Sequence, residues 1–145
     1  MIKEHYPLTS ILHGRAFLFN SKGTNGIITK AIIFEDLGND RFNLAFGDLN
    51  EGRIDDEVIS NNHDPVKVIA TVAKAVYLFT DDRPGAVIEI EGVDERRRWL
   101  YNLVFKRHIE DIRQYFLITG MLNGKMQLYD KNKIYSKFEI VRKKP

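Results

Sequence analysis

Short stretches of this chain alternate between apolar and polar residues, and two longer stretches repeat their apolar residues at helical spacing. Arg15-Ala16-Phe17-Leu18-Phe19 predicts a first strand. Ser21 to Gly26 follows as turn chemistry, with glycines able to take positive φ. Ile27 to Phe34 is a β-branched, apolar run and predicts a second strand. Leu37-Gly38-Asn39-Asp40 predicts the next turn. Within Arg41 to Phe46, the residues Phe42, Leu44 and Phe46 alternate, which predicts a third strand with one buried face. Short turns join neighbouring strands antiparallel, so these three form a meander.

Gly47 to His63 is polar and acidic and reads as a long loop, with a short fourth strand around Ile54, Val58 and Ile59. Asp64-Pro65 is a helix start: Asp64 can accept from free backbone N–H groups, and Pro65 suits the first helical position. Val66, Ile69, Val72, Ala73, Val76, Tyr77 and Thr80 follow at helical spacing, and Arg83-Pro84-Gly85 ends the run. Ala86 to Glu91 is a strand. Gly92 breaks it, and Asp94 caps a second helix that runs to about Tyr115. Phe116 to Leu122 returns to strand, Asn123-Gly124 is a strong hairpin signal, and Met126 to Tyr129 pairs back across it. Ile134 to Val141 is a last strand, followed by the basic tail Arg142-Lys143-Lys144-Pro145.

The order β-β-β-α-β-α-β-β predicts an α+β fold: one domain over residues 1–145, with a mainly antiparallel sheet and two helices packed on one face. A doubly wound parallel sheet does not fit, because it needs more crossovers. The length of 145 residues suits one domain, and a hydrophobic content of 43% is enough for a core without metals or crosslinks.

The chain has no cysteine, which excludes disulfides, zinc–thiolate sites, iron–sulfur clusters and a cysteine nucleophile. It also fits a reducing cytoplasm. The N-terminus lacks the apolar run of a signal peptide, and no stretch approaches the roughly 18 apolar residues of a membrane span. No membrane partner is expected. A formal net charge of +2 gives no global attraction to nucleic acid, so any such binding needs a local patch.

Several segments resemble a small uncharacterised bacterial protein family. They are Phe42-Asn43-Leu44-Ala45-Phe46-Gly47-Asp48-Leu49, Asp55-Asp56-Glu57-Val58-Ile59-Ser60-Asn61-Asn62, Lys67-Val68-Ile69-Ala70-Thr71-Val72-Ala73 and Ala75-Val76-Tyr77. The match continues through the strand around Ile88 to the helix bearing Arg97 and Tyr101, and Asp55 to Asn62 is its most specific piece. The resemblance implies a compact bacterial cytoplasmic domain. It brings no activity and no site residues with it.

Three candidate sites lie before the first helix. The acidic stretch from Asp48 to Glu57 hints at a calcium loop, with Asp48 and Asn50 at its first and third positions, but Gly52 comes one residue early, the fifth-position ligand is missing and the twelfth position is Ile59, which cannot bind a cation. Asp55, Asp56 and Glu57 could hold magnesium, yet no glycine-rich phosphate loop accompanies them. Ser60-Asn61-Asn62-His63-Asp64 could meet an anion at a helix N-terminus, although turn and cap chemistry accounts for the same residues. No metal ligand and no cofactor is assigned.

The second helix carries more. Leu100, Val104, Phe105, Ile109, Ile112 and Phe116 share its expected core face, and Arg97, Tyr101, His108 and Tyr115 fall within the same arc. Arg97 could grip a phosphate, Tyr101 donate to it and His108 act as acid or base, which would make a metal-independent ribonuclease. The same groups also read as a buried polar ladder, and a lone histidine on an apolar face is usually structural. On the opposite arc, Trp99 and Leu103 are one turn apart, among Arg96, Lys106 and Arg107. That grouping has the composition of an interface hot spot, unless another part of the chain covers it. It would receive a protein partner, a second copy of the chain, or stacked bases with phosphates. The basic runs Arg96-Arg97-Arg98, Lys106-Arg107-His108 and Arg142-Lys143-Lys144 could join in one patch or stay separately solvated.

Two functions from different classes follow. The first is a non-enzymatic module that binds protein or nucleic acid, of a size that suits one member of a regulatory or toxin–antitoxin-like pair. The alternative is the ribonuclease built on Arg97, Tyr101 and His108.

Overall fold

A computed structural model describes residues 4–50, 53–55, 63–92 and 94–143. Among them the chain forms nine strands and two α-helices. The order is β1 (Thr9–Ile11), β2 (Ala16–Gly23), β3 (Gly26–Gly38), β4 (Arg41–Asn50), β5 (Arg53–Asp55), α1 (Pro65–Asp81), β6 (Val87–Glu91), α2 (Glu95–Arg113), β7 (Phe116–Leu122), β8 (Lys125–Leu128) and β9 (Lys137–Arg142). The fold is α+β and its strand pairs are mostly antiparallel; β4 with β6 is a parallel pair. The chain divides into two compact units: the described residues of Ile2–Glu35 with Leu44–Asp82, and those of Asp36–Asn43 with Arg83–Pro145.

In the first unit β2 pairs with both β1 and β3, and β5 pairs with the end of β4. The strands outrun their sequence signals. β2 continues to Gly23, where Gly23 faces Gly26 across a two-residue turn, and Gly26 takes a φ of +81° that suits glycine. Phe17, Phe19, Ile32, Phe34, Leu44 and Phe46 are buried. Helix α1 lies within the same unit, and its Phe79 stacks on Phe34 with ring centroids 4.0 Å apart. That stack selects the buried stripe Val68, Thr71, Ala75, Val76, Phe79 and Thr80. The expected stripe is rotated from it: Val66 is exposed, and Ile69, Val72 and Ala73 are half-buried. A helix apolar on most of its circumference does not announce its core face by periodicity alone. The two buried threonines donate their hydroxyls to carbonyls one turn back, Thr71 to Lys67 and Thr80 to Val76, and so enter the core satisfied.

In the second unit β6 pairs with β9, and β7 pairs with both β9 and β8. The β7–β8 hairpin turns on Asn123 and Gly124, with φ of +52° and +77°, the conformation that this dipeptide favours. Ile88, Ile90, Phe116, Ile118, Phe138 and Ile140 are buried, and Phe105 of α2 stacks on Phe138 at 4.1 Å. Asn102 fastens the helix to the segment before β9. Its Oδ1 accepts from the Tyr135 N–H and its amide donates to the Tyr135 carbonyl, both at 2.8 Å. Tyr135 lies against Gly120 so closely that a Cβ there would be 2.5 Å from its ring.

Candidate functional site

Helix α2 starts where the sequence says it should. The Asp94 carboxylate accepts from the Arg97 N–H at 2.8 Å and satisfies a donor that the first turn leaves open. Gly92 precedes it because a Cβ at that position would be 2.6 Å from the Arg98 backbone nitrogen. The seam that holds α2 is narrow. Phe105 and Ile109 are its buried side chains, while Leu100, Val104 and Ile112 are half-buried. The broad core face expected for this helix is therefore reduced to one turn and a half.

Away from that seam α2 presents a mixed apolar and charged surface. Trp99, the single tryptophan of the chain, is 65% exposed. Leu103, one turn on, is half-buried, and Arg96, Lys106, Arg107 and Glu110 are exposed. At about 100° per residue these six side chains fall within one arc of roughly 100°. Glu110 also forms a loose ion pair with Arg113 at 3.7 Å, in which the Glu110 side chain stays 83% exposed.

Arg97, Tyr101 and His108 are half-buried on the other side of α2. The Arg97 Nε is 3.5 Å from Asp94 Oδ2, so its charge has a carboxylate partner. Eleven residues separate Arg97 from His108, about 16 Å along the helix axis at 1.5 Å per residue. That spread is long for three groups meant to converge on one phosphate. Of the basic runs, Arg96 and Arg98 are exposed on α2, Arg142 is half-buried on β9, and Lys144 lies outside the described residues.

The acidic candidates fare differently. Asp48 is buried and accepts from Lys30 Nζ at 2.5 Å, so this carboxylate serves an ion pair inside the first unit. Asp55 falls on β5, and the remainder of the calcium, magnesium and anion proposals, at 51–52 and 56–62, lies outside the described residues. Asp64 occupies the N-cap position of α1, but its side chain does not cap the helix. Its Oδ2 instead accepts from the hydroxyls of Tyr6 and Ser21, both at 2.5 Å. Two hydroxyl donors outcompete the backbone N–H groups for one oxygen.

Two polar clusters escaped the sequence reading. In the first unit, Tyr6 joins Asp64, receives the Lys22 N–H at 3.1 Å, and donates its own N–H to Thr71 Oγ1 at 2.9 Å. In the second, Arg41 bridges Glu89 and Glu139, and Lys137 pairs with the other Glu89 oxygen. Cross-strand register brings this network together: Glu89 faces Glu139, and Glu91 faces Lys137. Burial by itself pushes the Glu89 carboxyl up, but hydrogen bonds from Lys137 and Arg41, and their charges, outweigh it and hold the pKa below the ordinary value of 4.5. The Arg41 guanidinium is correspondingly raised, first by its bond to Glu89. Among the described residues every buried side-chain nitrogen and oxygen has a partner. These clusters are closed networks that hold strands and segments in place.

A model of a family of unknown function, DUF6934, matches residues 2–143. The chain belongs to this family. No curated protein and no solved structure matches the chain. Among the described residues no helix is long and apolar enough to cross a membrane.

Proposed function

We propose that this chain is a non-enzymatic binding module whose working surface is the outer face of α2. The observation that carries the reading is Trp99, 65% exposed beside the half-buried Leu103 and ringed by Arg96, Lys106 and Arg107. Leaving a large indole in water forgoes roughly 25 cal/mol for each Å² of apolar surface that a partner would cover. Tryptophan and arginine are the residues that most often dominate interface energetics. The charged neighbours keep the face soluble until it is occupied. A cysteine-free sequence supports a reducing, cytoplasmic setting. The ribonuclease reading has less support, because Arg97 already has a carboxylate partner and the three groups are spread along three turns of helix.

The test is affinity capture from the native cell with two baits, the wild-type chain and Trp99→Ala. A macromolecule held by the wild type and lost by the variant supports the reading. An identical set retained by both baits overturns it.

A further inference from the structure

We infer that the occupant of this face is a second copy of the chain, docked through α2 against α2 in antiparallel register with the two-fold axis at Leu103. The inference rests on the reading of α2 as a binding surface and adds the partner and its geometry. The argument is charge complementarity of the face with itself. Arg96 and Glu110 each lie seven residues from Leu103, about 10.5 Å to either side at 1.5 Å per residue. Trp99 and Lys106 lie four and three residues away, about 6 and 4.5 Å to either side, on the same flank of the arc. A two-fold axis through Leu103 and perpendicular to the helix therefore sets Arg96 of one copy against Glu110 of the other, twice. It also sets Trp99 of one copy beside Lys106 of the other, twice, an indole face meeting an ammonium. Leu103 meets itself at the centre, and the aliphatic stem of Arg107 comes to lie over Leu100.

An isologous contact requires such self-complementarity, since residue i meets j wherever j meets i. The parallel arrangement fails the same test: it would place Arg96 on Arg96, Arg107 on Arg107 and Glu110 on Glu110. A nucleic acid fits less well. Glu110 stands seven residues from Leu103 on the same stripe, where a phosphate backbone would meet a carboxylate, and it is 83% exposed. The net charge of +2 provides no compensating field. The chemistry that makes Glu110 unfavourable for phosphate makes it the required counterpart of Arg96 in a second copy.

The experiment is sedimentation equilibrium of the full chain over a wide concentration range, with Arg96→Glu, Glu110→Arg and the two combined. All three are exposed-surface changes, and unchanged unfolding midpoints will show that the fold is intact. The wild type is expected to associate reversibly to a dimer. Each single change turns two attractive contacts into repulsive ones and should weaken association by about tenfold or more. The combined change restores opposite charges across the axis and should recover most of that loss. A wild-type chain that is monomeric at every concentration overturns the inference, as does a dimer indifferent to both single changes or one that the combined change does not rescue. Titration of the monomer with single-stranded RNA, followed by Trp99 fluorescence, separates this failure from that of the underlying reading. A response to RNA without dimerisation removes the second copy and leaves α2 a binding surface, whereas a Trp99 that proves to be core removes both.

Discussion

The Tyr6 hydroxyl donates to Asp64 Oδ2 at 2.5 Å, joining a residue near the N-terminus to the start of α1. The same oxygen accepts from Ser21, so Asp64 is the hub of a part-buried hydroxyl network and not a helix cap. Removing it takes the shared acceptor from both hydroxyls. Asp64→Ala should cost about 2–3 kcal/mol, above the ~1 kcal/mol of an ordinary lost cap. Tyr6→Phe should cost about 1–2 kcal/mol. In a double-mutant cycle by denaturant unfolding the two should be coupled by at least about 1 kcal/mol, because they share one bond. Additive effects would return Asp64 to a capping role.

Gly120 faces the Tyr135 ring with no room for a side chain, since a Cβ would be 2.5 Å from it. Tyr135 is held on several sides: its hydroxyl accepts from the Asp130 N–H at 2.9 Å and from the Gln127 amide at 3.2 Å. The ring has no easy retreat. Gly120→Ala should lower stability by about 1–3 kcal/mol, the usual cost of overpacking, despite the better strand propensity of alanine. Thermal unfolding measures it, and a neutral or stabilising result would show that Tyr135 moves freely.

Glu89 makes stability depend on acid. Its carboxyl is depressed in the folded chain by Lys137 and Arg41, against the upward push of burial. A depressed pKa stabilises the fold fully above the ordinary value of 4.5 and ceases to do so as pH falls through the lower, folded value. Glu89→Gln keeps the shape and removes the charge. It should lose about 1–3 kcal/mol at neutral pH, and its stability should fall less steeply than the wild type on the acid side. Parallel acid limbs for the two proteins would mean that Glu89 is not depressed.

Much of this architecture was legible because local chemistry and global fold agree. Asn123-Gly124 takes the two positive φ values that its residues allow, Asp94 caps α2, and the strands around Phe17, Phe42, Ile88 and Ile118 stand where alternation puts them. Strand β1 was not legible, since Thr9, Ser10 and Ile11 are all exposed and no burial pattern marks them. The parallel pairing of β4 with β6 follows from tertiary placement, which no local signal encodes. Lys30 and Asp48 carry a signal of their own in the strand alternation. Lys30 shares the parity of the buried Ile32 and Phe34, and Asp48 that of Phe42, Leu44 and Phe46. Opposite charges on the core-facing parity of two strands ask for each other, because neither tolerates burial alone. Asp64 misled because an aspartate before a proline suits a cap so well, and only the positions of Tyr6 and Ser21 reveal its actual partners. On α2 the helical period separated Trp99 from Phe105 and Ile109 correctly. It overstated the core face, because Leu100 and Val104 are only half-buried.

Trp99 offers the most direct check on the surface proposed to bind. Its indole is 65% exposed, so truncation removes little packing within the chain. Alanine also favours helix somewhat more than tryptophan does, which offsets part of any loss. Trp99→Ala in the monomeric protein should therefore change unfolding stability by less than about 1 kcal/mol, as surface substitutions commonly do. A core tryptophan costs roughly 3–5 kcal/mol when truncated, so the two positions are well separated. Because the chain has one tryptophan, its fluorescence reports this site alone. In dilute wild-type protein the indole should be readily quenched by acrylamide and emit as a hydrated ring. At concentrations where the chain associates, quenching should fall and emission should move to shorter wavelength, with both changes moved to about tenfold higher concentration or more in Arg96→Glu. A dilute protein whose indole is already shielded, together with a loss of about 3 kcal/mol or more in Trp99→Ala, would place the ring inside the fold and close this face to any partner.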